Sequence, residues 1–212
     1  MATGDLYKML MEPSTATSLS VEDRHVLASI VVLAAQEAER SGSLADGLGL
    51  DRSQLHSLLA AEFPQAFAFL GPLLVEAPVL RSAEEEAIRE LLLRFRTRTS
   101  PLSPLLATLV ARRAMRPNHL WQDLGLNHRS ELSGLMNRHF ASLARRNRQD
   151  MKWKKFFYRM TCSEEGFSLC AAPVCSDCKD FSLCFGDESG QSLLARNHFL
   201  GAAQGLVQVV GA

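Results

Sequence analysis

Four cysteines lie within fifteen residues toward the C-terminal end of the chain, and their spacing constrains the fold more than any other feature. The segment CAAPVCSDCKDFSLC places Cys170, Cys175, Cys178 and Cys184 in a C-x4-C-x2-C-x5-C pattern. Thiolates this close in sequence converge where the chain wraps around something small. They are soft ligands that select zinc, copper(I) or iron–sulfur clusters. We therefore predict a metal–sulfur centre on these four residues.

The spacing favours an iron–sulfur-type centre over zinc. Zinc sites usually present two C-x2-C pairs separated by a longer stretch, whereas this chain has one such pair. The leading C-x4-C-x2-C also matches the first three ligands of plant-type ferredoxins. Zinc stays open as the alternative metal. The fifth cysteine, Cys162, is interpreted as a buried structural thiol, with an additional ligand role as the other possibility.

The start of the chain predicts the compartment. Its first twenty residues lack the basic segment and the long apolar core of a secretory signal. The longest strongly apolar run, from Val26 to Ala35, has ten residues, about half of what a membrane span needs. We expect a cytoplasmic protein without membrane association. In that reducing compartment, cysteines bind metal more often than they form disulfides.

Helical signals dominate the sequence. Ser20 is placed to cap a helix that runs to about Arg40, and Ser82, followed three residues later by Glu85, marks the start of another. Alternating segments bounded by turn residues are scarce, and we find no convincing hairpin. The predicted fold class is mostly α, a helical body followed by a cysteine-rich cluster-binding loop.

An internal repeat lies within the helical body. Residues 33–50 match residues 109–126, and after one inserted residue the match continues to Phe63 and Phe140, with thirteen identities over thirty aligned positions. In each copy a glycine, Gly49 or Gly125, stands where one helix is expected to end in a left-handed residue. The pattern predicts a duplicated helix–turn–helix unit.

These features divide the chain into four segments. We predict an N-terminal extension (1–19), a helical domain (20–160) with its repeat at about 25–63 and 101–140, a cysteine-rich metal-cluster loop (161–190) and a C-terminal tail (191–212).

The charge distribution is uneven although the chain as a whole is neutral. Residues 89–159 hold 16 of the 23 Lys and Arg residues but four of the 23 Asp and Glu residues, a net charge of +12. Such a segment favours an anionic partner, which can be nucleic acid, an acidic protein face or a small oxyanion. If one helix spans Ala141 to Met160, it carries a continuous basic stripe opposite an apolar face. The stripe consists of Arg145, Arg148, Lys152, Lys155 and Arg159.

The run HLWQDLGLNHRSELSGLMNRHFASLARRNRQDMKWKKFFYRM, followed by the cysteine motif, resembles the NifQ family of nitrogen fixation. The resemblance is most specific over residues 117–186 and extends over about 20–190. It implies a molybdenum–iron–sulfur cluster held by Cys170, Cys175, Cys178 and Cys184. It also implies donation of molybdenum for the nitrogenase iron–molybdenum cofactor, with the NifEN assembly scaffold and the nitrogenase iron protein as partners. A metal donor of this kind is expected rather than a conventional enzyme.

Two further expectations follow from the resemblance. The basic stripe is a plausible surface for collecting molybdate, which arrives as a dianion, or for docking an acidic partner. His139, His119 and Cys162 are candidate additional ligands, and His139 is preferred because it precedes the basic helix. For each histidine, a structural contact is the more frequent role.

Two alternatives come from other functional classes. A zinc-stabilised helix–turn–helix regulator would bind nucleic acid through the segment from Leu120 to Phe140. Its recognition segment, from Ser130 to Phe140, offers Arg138 as its one base-reading cation, so nucleic acid is not the expected partner. A simple iron–sulfur electron-transfer protein is the second alternative, although the chain has no dinucleotide-binding fingerprint and no P-loop.

Overall fold

The computed structural model describes residues 3–12, 19–75, 78–164, 181–185 and 187–195. Within these ranges the regular secondary structure is helical and contains no strand, which confirms the mostly α class. The helices are α1 (Thr3–Met11), α2 (Val21–Ser41), α3 (Leu44–Leu48), α4 (Arg52–Glu62), α5 (Phe67–Leu70), α6 (Ala83–Arg94), α7 (Ser103–Ala114), α8 (Leu120–Asp123), α9 (Arg129–His139), α10 (Ala141–Ala144), α11 (Trp153–Glu164) and α12 (Phe181–Phe185).

Two of the predicted helix starts are confirmed by their capping contacts. The Ser20 hydroxyl accepts a hydrogen bond from the backbone N–H of Asp23 at 3.1 Å, and α2 begins at the next residue. The Ser82 hydroxyl accepts from the N–H of Glu85 at 3.1 Å, where α6 begins. Each cap satisfies an amide that the first helical turn leaves without a partner.

The chain forms two compact units. The described parts of residues 1–80, 121–128 and 191–212 form the first unit, and those of residues 81–120 and 129–190 form the second.

Helix α2 is the central element of the first unit. Its run from Val26 to Ala35 is buried throughout, so this longest apolar stretch of the sequence is a core helix. Helix α1 packs on it with Leu6 and Leu10 buried, while the Tyr7 hydroxyl lies 2.7 Å from Nδ1 of His25.

In the described residues, no helix combines the length and the apolar composition needed to cross a membrane.

A buried arginine joins three segments of the first unit. Arg24, which is 5% exposed, donates through Nη1 to the carbonyl oxygens of Leu10, Glu12 and Glu62 at 3.2, 3.2 and 3.4 Å. Carbonyls near helix ends lack intrahelical donors, and a buried guanidinium requires acceptors. The contact therefore satisfies both groups and fixes α1 beside α2 and α4.

In the second unit, α6 packs against α7 and α11. The aromatic residues of α11 form a buried cluster: Trp153, Phe156 and Phe157 are at most 4% exposed and their rings contact one another, whereas Met160 is partly exposed. Glu85 of α6 is 2% exposed, and its Oε1 lies 3.1 Å from Nε of Arg112 on α7. A buried carboxylate is thereby paired at the α6–α7 contact.

The two repeat segments share local geometry. Gly49 and Gly125 both have the predicted left-handed conformation, with φ of 65° and 75°. After the following helix, Phe63 and Phe140 are each fully buried, with φ, ψ of −138°, 51° and −139°, 43°. Each donates its N–H to the carbonyl four residues earlier at 2.9 Å. The aligned residues thus end their helices in the same way, and the duplication itself stays a prediction.

Candidate metal centre and basic cleft

The structure describes one of the four motif cysteines. Cys184 lies on α12 and is partly exposed. Cys170, Cys175 and Cys178 lie outside the described residues, and Cys162 belongs to α11 without a described side chain. No group of three or more His, Cys, Asp or Glu residues forms a metal site in the described ranges. The four-cysteine centre therefore stays a prediction.

Lys152 holds the segment that carries Cys184. Its backbone N–H donates to the carbonyl oxygen of Cys184 at 2.8 Å. Its Nζ lies 3.3 Å from the carbonyl oxygen of Ser182, in an exposed contact. A five-residue helix is too short to be stable alone, so these contacts to the start of α11 contribute to holding α12 in place.

Arg129, the first residue of α9, contacts two separate segments of the chain. Its Nη2 donates to the carbonyl oxygens of Asp150 and Met151 at 3.0 and 3.1 Å and lies 2.7 Å from the Asp150 carboxylate. Its Nη1 lies 2.7 Å from the Glu188 carboxylate, whose side chain is 6% exposed. One guanidinium therefore joins the loop before α11 to the segment after Cys184.

A basic cleft of about 580 Å³ lies at this loop and the adjoining face of α11. Its described lining has three arginines, two amide side chains and three apolar residues, and none of these is acidic. They are Arg146, Asn147, Arg148, Gln149, Met151, Phe156, Arg159 and Met160.

The loop that lines the cleft is closed by the Asn147 side chain. Its Oδ1 accepts from the N–H of Met151 at 2.9 Å, and its Nδ2 donates to the carbonyl of the same residue at 2.8 Å. Between them Asp150 has a left-handed φ of 52°, a conformation that Asp adopts more readily than most residues. Arg146 stacks on the Phe95 ring, with its guanidinium carbon 4.5 Å from the ring centre.

The expectation of one helix from Ala141 to Met160 is wrong. Helix α10 ends at Ala144 and α11 begins at Trp153, because the turn closed by Asn147 interrupts the helical hydrogen bonds.

The continuous basic stripe is therefore absent in the form predicted. Of its residues, Arg148 and Arg159 line the cleft, whereas Lys152 contacts α12. Arg145 and Lys155 are exposed and are not part of the described lining.

The two candidate histidines have structural contacts. His139 is 3% exposed, and its Nδ1 lies 2.7 Å from the hydroxyl of Ser100. His119 is partly exposed, and its Nδ1 lies 3.3 Å from Oε1 of Glu188. Each has a neighbour suited to the more frequent structural role, and ligation of metal by either stays a prediction.

These features define the class of protein: a mostly helical chain whose arginine-lined cleft adjoins the segment bearing the last cysteine of a four-cysteine motif. A model of the NifQ family matches residues 26–186, about three quarters of the chain. The chain therefore belongs to the NifQ family. Membership indicates a molybdenum-related role in nitrogen fixation.

Individual relatives agree with the family match. The protein NifQ homolog of Sinorhizobium fredii (strain NBRC 101917 / NGR234) is 38% identical over 182 residues, covering 85% of this chain and 79% of that protein. Protein NifQ of Azotobacter vinelandii is 38% identical over 152 residues, covering 66% and 78%. Protein NifQ of Rhodobacter capsulatus is 43% identical over 105 residues, covering 50% and 58%. No solved structure matches the chain significantly.

Sequence reasoning missed two residues at this site. Arg146 was left out because it does not fall on the three-and-four spacing of the stripe, although it lines the cleft. Arg129 was not assigned to the site because its partners lie 21 and more residues away in sequence. The available signal for Arg146 was the sequence Arg-Arg-Asn-Arg at 145–148, in which Asn147 disfavours a continuing helix.

Proposed function

We propose that this chain carries a molybdenum–iron–sulfur cluster on Cys170, Cys175, Cys178 and Cys184 and donates molybdenum for assembly of the nitrogenase iron–molybdenum cofactor. The cluster is cargo, and the chain acts as a metal donor. The receiving partners are the NifEN assembly scaffold and the nitrogenase iron protein.

The observation that carries this proposal is the presence of all four thiolates, in one closely spaced motif, in a chain of the NifQ family. Thiolate ligands suit iron in a sulfur cluster. With the cysteines bound to iron, molybdenum would keep positions open for exchange, as release to an acceptor requires.

The position of Cys184 also suits a donor. Its segment rests on the N-terminal end of α11 through two hydrogen bonds from Lys152, and its side chain is partly exposed. A cluster bound partly by an exposed cysteine can be reached by an acceptor protein. A fully buried cluster would require the helical body to open before transfer.

The experiment is a transfer assay under anaerobic conditions. Protein loaded with isotopically enriched molybdenum is mixed with the NifEN scaffold and the nitrogenase iron protein, and the label on re-isolated scaffold is measured. We expect transfer from the wild-type chain and none from a Cys175→Ala, Cys178→Ala variant. A Ser176→Ala variant, altered between the same cysteines, should transfer normally. Label that stays with the chain in all three samples would disprove donation.

The same preparations distinguish the alternatives. Stoichiometric zinc without iron or molybdenum would favour the nucleic-acid-binding regulator. Iron without molybdenum would favour an electron-transfer protein. The structure offers little for base reading, since Leu132, Leu135 and Met136 of α9 are buried.

A further inference from the structure

We infer that the basic cleft binds a tetrahedral oxyanion, molybdate, through Arg146, Arg148 and Arg159. This inference rests on the proposed function for the identity of the anion. The structural case for an oxyanion site is independent of it.

The positive charge of the cleft favours an anionic ligand. Three guanidinium groups line it, and its described lining contains no carboxylate. Like charges brought together raise the free energy of the empty site, and a bound dianion relieves their repulsion. Guanidinium groups also present planar pairs of donors that match oxyanion oxygens better than the point charge of a lysine does.

Asp150 of the same loop pairs with a residue outside the described lining. Its carboxylate lies 2.7 Å from Nη2 of Arg129, and Asp150 is not part of the described lining. This acid is therefore paired with a cation that the cleft does not use.

The site is partly preorganised. The two hydrogen bonds between Asn147 and Met151 close the loop, and Phe95 supports the Arg146 guanidinium at 4.5 Å. Met151 and Phe156, each 4% exposed, contribute packed apolar surface to the lining. A fixed loop loses less conformational entropy when an anion binds, which favours a specific site over a diffuse basic surface.

The position of the cleft relates it to the cysteine motif. Met151 lines the cleft, and the next residue, Lys152, donates its N–H to the carbonyl oxygen of Cys184. The loop that would hold the oxyanion is therefore the loop that fixes the last motif cysteine. Molybdate bound there would lie at the loop that contacts the segment carrying Cys184.

The test is molybdate binding by a chain that cannot build a cluster. All four motif cysteines are replaced by serine in the full-length protein, and bound molybdenum is measured by equilibrium dialysis. In this background, Arg148→Gln with Arg159→Gln removes two lining cations. The matched control, Arg145→Gln with Lys155→Gln, removes the same charge from exposed residues outside the described lining.

We expect saturable molybdate binding that weakens about tenfold or more in the cleft pair and by less than about twofold in the control pair. Equal loss in both pairs, or no saturable binding in the background protein, would overturn the inference. Should the cleft pair fail to fold by circular dichroism, Arg146→Gln with Arg148→Gln replaces it under the same criteria.

Competition identifies the anion. If molybdate is the physiological ligand, sulfate and phosphate should displace it at substantially higher concentrations than tungstate, its closest analogue in size and charge. Displacement by sulfate at equal concentration would overturn the assignment to molybdate. A cleft that binds an acidic peptide but not molybdate would do so as well.

Failure of the inference and failure of the proposed function are separable. If the wild-type chain holds iron and molybdenum but the variant without the four motif cysteines binds no molybdate, the cleft assignment alone is wrong. A wild-type chain without a cluster, whose cleft still binds molybdate, would sink the cluster-carrier proposal alone.

Discussion

The backbone N–H of Lys152 donates to the carbonyl oxygen of Cys184 across 2.8 Å, joining the residue before α11 to the last cysteine of the motif. The same lysine follows Met151, which lines the basic cleft. A main-chain hydrogen bond therefore links the loop of the candidate anion site to the candidate cluster ligand.

Removing this hydrogen bond should reduce cluster retention. Lys152→Pro removes the N–H donor, so the α12 segment loses its main-chain anchor and iron per chain should fall. Lys152→Ala keeps the N–H and loses the exposed contact to Ser182, and it should retain iron at the wild-type level. Iron analysis after anaerobic desalting makes the comparison, and circular dichroism checks that both variants remain folded. Equal iron in both variants would contradict the anchoring role.

Arg129 should contribute substantially to stability through Glu188. Arg129→Ala leaves a carboxylate whose side chain is 6% exposed without its guanidinium partner at 2.7 Å, at a cost of about 2–3 kcal/mol. Chemical denaturation measures this cost. In a double-mutant cycle, Glu188→Gln should remove most of the penalty, because the buried charge is then absent. A cost that is the same in the Glu188→Gln background would show that the pair is not coupled.

The titration of Glu85 should lower the free energy of unfolding as the pH rises. Burial raises the pKa of Glu85 above its ordinary value of 4.5, against the opposing effect of Arg112 and Arg81. The unfolded chain therefore releases this proton first, and the free energy of unfolding declines from about pH 4.5 up to the folded pKa. Relative to Glu85→Gln, the wild-type protein should lose stability over that interval.

Glu86 provides a control of opposite sign. Its hydrogen bonds from Arg89, with Nε 3.0 Å from Oε1, lower its pKa. Its contribution should therefore be present above the unfolded pKa and be lost as the pH falls through the folded pKa. Unfolding curves of the Glu85→Gln and Glu86→Gln variants, measured from about pH 3 to pH 8 so that both intervals are covered, should show opposite trends relative to the wild type. Parallel trends would refute the effect of burial on Glu85.

Gly125 should be the less replaceable of two left-handed glycines. A Cβ at Gly125 would lie 3.0 Å from the carbonyl oxygen of Ser29 and 3.1 Å from a methyl group of Leu33, whereas one at Gly42 would meet nothing within 4 Å. Both have φ near 75°, so both alanine variants incur backbone strain of about 1 kcal/mol. Gly125→Ala should cost about 1–2 kcal/mol more because of crowding. Equal thermal stability of the two variants would contradict this packing.

The sequence predicted those parts of the fold that depend on neighbouring residues. Ser20 and Ser82 each cap a helix within four residues, and Gly49 and Gly125 each end one. Such signals are local because they reflect which side chain can reach a free amide or which residue tolerates a positive φ.

The break before α11 was not predicted because it depends on competition between two local structures. The apolar residues from Ala141 to Met160 are spaced as in a single helix. In the structure, however, the Asn147 side chain forms hydrogen bonds with the N–H and the carbonyl oxygen of Met151. The spacing of apolar residues does not reveal such a side-chain hydrogen bond to the backbone. The break brings Arg146 and Arg148 to the same cleft as Arg159.

The partners of Arg129 could not be predicted from neighbouring residues. Asp150 and Glu188 lie far from it in sequence, so their contacts exist only once the second unit has folded. In contrast, the four cysteines are proposed from spacing and family membership alone, since three of them lie outside the described residues.

The content of molybdenum, iron and zinc per chain, in protein purified anaerobically from molybdate-fed cells, decides whether the chain carries the proposed cluster. We expect iron together with molybdenum in the wild-type chain and in Ser176→Ala, and loss of both metals in the Cys175→Ala, Cys178→Ala variant. Stoichiometric zinc with neither iron nor molybdenum, or a cluster that survives loss of these two cysteines, would contradict this expectation.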